Sequence, residues 1–387
     1  MDEETRLIRA GASPKDLVKT VGPPIQKGST VLLPNAAALY DHENFITYGR
    51  QGLAAQVALC DALAVMEGAV GVQLYPSGVA ALTGAILAVL KAGDHVMVSD
   101  AIYKPTRRFC DQVLKAYGVT VAYFDPRATA EALMAEATEA TRLIVLESPG
   151  SLSFEMQDLR AIAERARAKG ILTLADNTWG AGYLMKPLEL GVDISVQSLT
   201  KYVGGHSDTF MGSAAARDPG VVRKLADGVL NMGWAVSGED AYLMLRGLRT
   251  LPTRLARHGA SGLAVAAWLR DQAEVAEVIH PGLPGSTDHE LWRRDYSGAC
   301  GLFAVVLKPG PASAVNAFLD ALRLFGLGFS WGGFESLVIS CDNQLSSRKS
   351  QPGFGGPLIR LHVGLENPDD LIADLRRGLD VYDTLRA

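Results

Sequence analysis

A chain of 387 residues, 48% apolar and 20% charged, is long enough for two or three domains around a large buried core, so size does not limit its stability. A net charge of −5 without any basic run leaves no footprint for a nucleic-acid backbone, and the lack of about 18 consecutive apolar residues argues against a membrane span. The scattered Cys60, Cys110, Cys300 and Cys341 have no metal-ligand spacing, and the acidic start Met1-Asp2-Glu3-Glu4 has no secretory apolar core; both point to a reducing cytoplasm.

Residues 1–50 are rich in Pro, Gly and Asn, with Gly22-Pro23-Pro24 and Pro34-Asn35 as breakers, and read as an extended arm. From Gln51 to Glu67 the spacing of Leu53, Val57, Leu59 and Leu63 predicts an amphipathic helix closed by Gly68. Strands and helices then alternate: strand 70–74, helix 79–91, strand 95–99, helix 105–117, strand 119–124, strand 143–147, helix 158–169, and strands 171–176 and 193–197. Such alternation predicts a mostly parallel sheet covered on both faces, the large domain running over 51–235. A helical stretch from Glu239 to about Arg270, interrupted at Pro252, leads into strands near 275–279, 302–307, 337–340 and 358–363. This second pattern predicts a smaller α/β domain, 236–387, with an antiparallel sheet.

Chemistry concentrates where strands end. Lys201 follows strand 193–197 in Ser198-Leu199-Thr200-Lys201, and Asp176 closes strand 171–176. Taken alone, Lys201 also reads as a solvated charge. In a parallel α/β sheet, however, the ligand crevice lies outside the carboxyl ends of the strands, which puts Asp176 and Lys201 in one place. Pyridoxal phosphate needs that pair, an amine for its aldehyde and a carboxylate for its pyridine nitrogen. Ser77-Gly78-Val79 stands between a strand and a helix, where the Gly78 and Val79 N–H groups could meet an anion; taken alone this reads as a plain helix cap, and with the hydroxyls of Ser198 and Thr200 it becomes a three-sided cradle for one phosphate. Tyr103, beyond the next strand, is either a ring-stacking residue or an ordinary boundary tyrosine. His206 lacks partners at ligand spacing and reads as a hydrogen-bonded structural histidine, so no metal site is expected.

With these residues on view, the chain resembles the Cys/Met-metabolism family of pyridoxal-phosphate enzymes, and within it the cystathionine β-lyase branch. The likeness runs from about residue 20 to the carboxyl end. Its landmarks are Ser29-Thr30-Val31-Leu32, Tyr48-Gly49-Arg50, Glu147-Ser148-Pro149-Gly150-Ser151, Asp176-Asn177-Thr178-Trp179, Thr200-Lys201-Tyr202, Gly205-His206-Ser207-Asp208, Ser330-Trp331-Gly332-Gly333 and Ile359-Arg360-Leu361-His362-Val363-Gly364. The resemblance implies fold type I, the aspartate-aminotransferase-like α/β fold. It implies that Lys201 bonds the cofactor aldehyde and moves protons, that Asp176 pairs with the pyridinium nitrogen and that Tyr103 stacks on the ring. Ser77, Gly78, Val79, Ser198 and Thr200 would hold the phosphate, joined by Tyr48 and Arg50 from a neighbouring subunit, in a dimer of dimers with shared sites. Tyr48 or Tyr103 would tune amine protonation.

Arg360, flanked by apolar residues on a strand, would clamp the substrate α-carboxylate, with Ser330 and Trp331 beside it. The implied reaction is β-elimination from L-cystathionine, yielding homocysteine, pyruvate and ammonia for methionine formation; the alternatives are a cysteine or cysteine-conjugate β-lyase, a γ-type member, and, from another class, a non-catalytic ligand-binding member, against which the intact Lys201, Asp176 and Arg360 set speaks. Phe329 stands where the family pattern has tyrosine, which removes a hydroxyl from the substrate pocket.

Overall fold

The computed structural model describes residues 2–10, 20–41, 44–350 and 352–386. Seven strands, β1 (Gly71–Tyr75), β2 (His95–Ser99), β3 (Thr120–Phe124), β4 (Thr141–Glu147), β5 (Leu172–Asp176), β6 (Ile194–Ser198) and β7 (Gly212–Ala216), form one sheet in the order β1-β7-β6-β5-β4-β2-β3. The β3-β2-β4-β5-β6 ladders are parallel, while β7 runs antiparallel to both β6 and β1. The carboxyl ends of β1, β2, β4, β5 and β6 therefore share one edge. Both faces are covered, as continuous apolar strands such as Leu143-Ile144-Val145-Leu146 require.

The covering helices follow ordinary start signals. Ser77 caps helix Gly78–Val89, its Oγ accepting from the Ala80 N–H at 3.1 Å. Asp158 caps helix Leu159–Ala168 in the same way at 3.1 Å, and Leu159, Ile162, Ala163 and Ala166 line its buried face at the spacing of one helix stripe.

The second sheet holds β8 (Val275–Ile279), β9 (Leu302–Leu307), β10 (Gly326–Leu327), β11 (Leu337–Ser340) and β12 (Leu358–His362) in the order β10-β11-β12-β9-β8. Strand β9 shows how the two bodies join: Leu302, Ala304 and Val306 enter the core of the large sheet, whereas Phe303, Val305 and Leu307 enter the core beneath helices Ala312–Ala321 and Pro368–Arg386. A second tie is electrostatic. Asp100, buried after β2, accepts from Lys349 N at 3.1 Å, from Ser350 N and Oγ at 2.8 Å, and from Arg107, while Arg348 pairs with Glu155 at 2.9 Å.

Several expectations change in detail. The arm is not extended throughout: Glu3–Arg9 is a helix capped by Asp2, with Leu7 buried, and Ala36–Tyr40 forms a 3-10 turn; residues 11–19 and 42–43 lie outside the described residues. The helix expected over 105–117 is α-helical over Lys104–Phe109 and then widens to a π-turn at Cys110–Leu114. The stretch 239–270 breaks at Arg249-Thr250, and Pro252 sits in the first turn of the following helix, where its missing N–H costs nothing. The smaller sheet is antiparallel except for β10, which pairs parallel with β11. Among the described residues no helix is long and apolar enough to cross a membrane.

Candidate active site

At the shared edge of the large sheet lies a cavity of about 900 Å³, roofed by the loop between β10 and β11 and by β12. Lys201 emerges one turn beyond β6, its N–H returning to the Ser198 carbonyl at 3.2 Å. Its Nζ donates to Ser330 Oγ at 2.9 Å and lies 5.4 Å from the centre of the Trp331 ring. Burial and the Arg360 guanidinium together lower the amine from 10.5 to about 8, with Asp176 opposing them. A half-buried amine so adjusted is a competent nucleophile near neutrality.

Asp176 stands opposite Glu147 in the β4–β5 register. Its Oδ1 accepts from Thr178 N at 3.0 Å and Thr178 Oγ1 at 2.6 Å, and Thr178 Oγ1 in turn accepts from Ser198 N at 2.9 Å. Burial raises the Asp176 carboxyl, and the Thr178 hydrogen bonds pull it back toward the ionised form. Glu147, pushed far upward by burial and by Asp176, accepts from the Tyr103 N–H at 2.7 Å and so fixes the Tyr103 backbone at the cavity.

On the other side, the start of helix Gly78–Val89 presses on β6. A Cβ built on Gly78 would come 2.4 Å from Ser198 Cβ, so only glycine lets these backbones meet. With the Ala80 N–H taken by the Ser77 cap, the N–H groups of Gly78 and Val79 and the Ser77 O–H, which only accepts in the cap, are the donors left to meet an anion. The Thr200 hydroxyl donates to Met211 O at 3.1 Å and accepts from Met211 N at 3.0 Å; it ties the lysine turn to β7 as well as facing the cavity.

Arg360 reaches the cavity from β12. Its Nη2 donates to the carbonyls of Gly328, Phe329 and Ser330 at 3.3, 3.0 and 3.1 Å, while its buried Nε has no partner among the described residues. Phe329 lines the mouth and is 76% exposed.

The cavity thus gathers Ser77, Gly78, Val79, Tyr103, Asp176, Ser198, Thr200, Lys201, Ser330, Trp331 and Arg360. Tyr48 and Arg50 are not among its lining residues; Arg50 donates to the Leu230 carbonyl at 3.0 Å, and Tyr48 is half exposed on the arm. His206 bonds the Gly204 carbonyl at 2.7 Å, and no group of metal-ligating side chains occurs among the described residues. Sequence reasoning gave no role to Thr178, Glu147 or Phe210, all at the cavity. For Glu147 and Thr178 the signal was their place at the ends of β4 and β5; Phe210 precedes β7, whose small residues gave none.

A mostly parallel sheet with a buried amine, carboxylate and helix start at its strand ends, beside a smaller sheet that supplies an arginine, defines a pyridoxal-phosphate enzyme of fold type I. The residues fit that cofactor on three counts: an amine of lowered pKa, a buried carboxylate with one oxygen uncommitted to Thr178, and paired N–H donors at a helix start. Residues 4–380 match the model of the Cys/Met metabolism PLP-dependent enzyme family. The chain is 45% identical to a cystathionine β-lyase homologue of Rhizobium johnstonii, over 97% of this chain and 95% of that protein. It is 41% identical to the cystathionine β-lyase of Bordetella avium, over 96% and 93% of the two chains. Among solved structures, MetB from Corynebacterium glutamicum superposes with a TM-score of 0.91 at 31% identity, covering 98% of both chains. The chain belongs to the Cys/Met metabolism family of pyridoxal-phosphate-dependent enzymes.

Proposed function

We propose that this chain is a carbon–sulfur β-lyase that cleaves L-cystathionine with water to homocysteine, pyruvate and ammonia, serving methionine formation in the cytoplasm. The observation that carries the reading is the meeting of Lys201 with Ser330 and Trp331 beside the uncommitted Arg360 Nε. The named activity of the relatives supports it. Bound pyridoxal phosphate supplies an aldehyde and an electron-accepting ring.

The chain's own side chains then divide the work. Arg360 holds the substrate carboxylate through its guanidinium fork, and the Lys201 amine takes the proton from Cα and returns protons later. Asp176, oriented by Thr178, would supply the negative charge for the pyridine nitrogen of the cofactor. Gly78, Val79 and Ser198 would hold the phosphate, with Ser77 and Thr200 shaping the cradle, and Tyr103, its backbone fixed by Glu147, would stack on the ring. Trp179 and Trp331 keep water from the reacting carbons.

Residues 51–235 form the cofactor-holding body, 236–387 the substrate-clamping body, and 1–50 an arm that delivers Tyr48 and Arg50 to a neighbouring subunit in a dimer of dimers. The exposure of Leu32 and Tyr40, 92% and 86%, is what an arm covered by a partner has when viewed alone. The test is to quantify pyruvate, ammonia and thiol from L-cystathionine, L-cysteine, cysteine conjugates and methionine side by side. Pyruvate and homocysteine from L-cystathionine are expected; 2-oxobutyrate as the main product would move the chain to the γ-type enzymes.

A further inference from the structure

Strand β12 touches the loop over Lys201 at two points, and only the first belongs to the substrate clamp. Arg360 and His362 are two residues apart, so they project from the same face of the strand. Arg360 takes the carbonyls of residues 328–330; His362 takes the other end, its Nε2 accepting from Gly332 N at 3.0 Å and lying 3.2 Å from Gly333 O. Between the two grips sit the residues that reach the amine, Ser330 and Trp331.

The second grip is tight. Gly332 has φ of 84°, and a Cβ there would come 2.8 Å from Tyr202 N and 2.9 Å from Lys201 C, so the loop lies directly on the backbone of the lysine. His362 is fully buried; its ring centre is 5.9 Å from that of Tyr202 and 5.3 Å from that of His258. The Gly332 N–H is a fixed donor, so the Nε2 that meets it is a lone-pair acceptor, which puts the ring proton on Nδ1, buried without a partner among the described residues. Burial, with the nearby His258, Arg360 and Lys201, keeps this imidazole neutral and able to accept.

We propose that His362 is a positioning residue for the lyase reaction: by accepting the Gly332 N–H it seats Ser330 and Trp331 over Lys201 and keeps the amine desolvated. The proposal rests on the role given to Lys201 above.

The experiment compares His362→Gln, whose amide oxygen reaches the place of Nε2, with His362→Asn, whose oxygen stops at the place of Nδ1. In cofactor-stripped protein, the pH at which Lys201 is half acylated by an amine reagent, read by peptide mapping, is expected to rise by about one unit in the Asn variant as water reaches the amine. It should return toward wild type in the Gln variant. In the holoenzyme, kcat on L-cystathionine should fall about tenfold for Asn and much less for Gln, with KM changed little. Equal behaviour of the two variants, both intact or both impaired, overturns the proposal. If His362→Asn does not fold, His362→Met, of similar bulk without a matching acceptor, takes its place. Lys201→Ala in the same panel separates the claims: turnover there strikes the proposed reaction, whereas the acylation titration needs neither cofactor nor substrate and judges His362 by itself.

Discussion

At the scale of single residues, the site depends on side chains that spend only part of their bonding capacity on the protein. Arg360 commits Nη2 to three loop carbonyls and, among the described residues, leaves its buried Nε unpartnered. Arg360→Lys keeps the charge but loses the planar fork, so KM for carboxylate substrates should rise roughly tenfold or more while cofactor affinity stays within a few-fold. Steady-state kinetics beside a cofactor titration decide this; an unchanged KM removes the clamp. Lys201 yields a second expectation. Its amine, lowered to about 8, should acylate in cofactor-stripped protein with a half-labelling pH well below that of exposed lysines near 10.5. Labelling in step with the surface lysines would contradict the desolvated setting described here.

Among the elements, helix Ala54–Glu67 meets β6 through a buried polar contact. Glu67 is buried, accepts from Ser195 Oγ at 2.9 Å and from Gln197, and burial raises its carboxyl from 4.5 to about 7. Because the folded state holds this proton more firmly than the unfolded chain, stability from this group is fully present below about pH 4.5 and is lost as pH rises through about 7. Glu67→Gln keeps the hydrogen-bonding shape without the charge. It should therefore gain stability over wild type at pH 8, by up to about 3 kcal/mol, and gain nothing near pH 4. Denaturant melts at both pH values test this, and a gain independent of pH would refute it.

The same scale explains what sequence could convey. Strands such as Leu143–Leu146 and Leu172–Asp176 announce themselves because apolar and β-branched residues are what a doubly covered strand requires. Lys201 and Asp176 were visible because they follow such strands. Strand β7, Gly-Ser-Ala-Ala-Ala, was invisible: small residues carry no strand preference, and its place is decided by the close packing of neighbours. The meeting of Ser330 with Lys201, 129 positions away, and the acceptor role of His362 come from tertiary pairing that no local pattern encodes.

On the scale of the whole molecule, the chain viewed alone leaves Tyr48 and Arg50 away from its own cavity. If they complete a neighbour's site, co-expression of Arg50→Ala with Lys201→Ala should restore activity that neither variant has alone, since mixed dimers contain one site with both residues intact. Mixed dimers of verified composition that stay inactive would overturn the sharing of sites between subunits. The buried carboxylate of Asp100 has its own bearing on how substrate enters. It is fastened to the segment at residues 349–350 by three hydrogen bonds while it also holds Arg107, and β9 contributes alternate side chains to both cores. Swinging one half of the molecule away from the other as a hinged lid would break the three bonds to residues 349–350 and pull β9 out of one of its two cores, while Asp100 stays paired with Arg107. Entry without domain rotation then falls to the aromatic rim of the cavity, where Phe329 and Phe210 are 76% and 75% exposed.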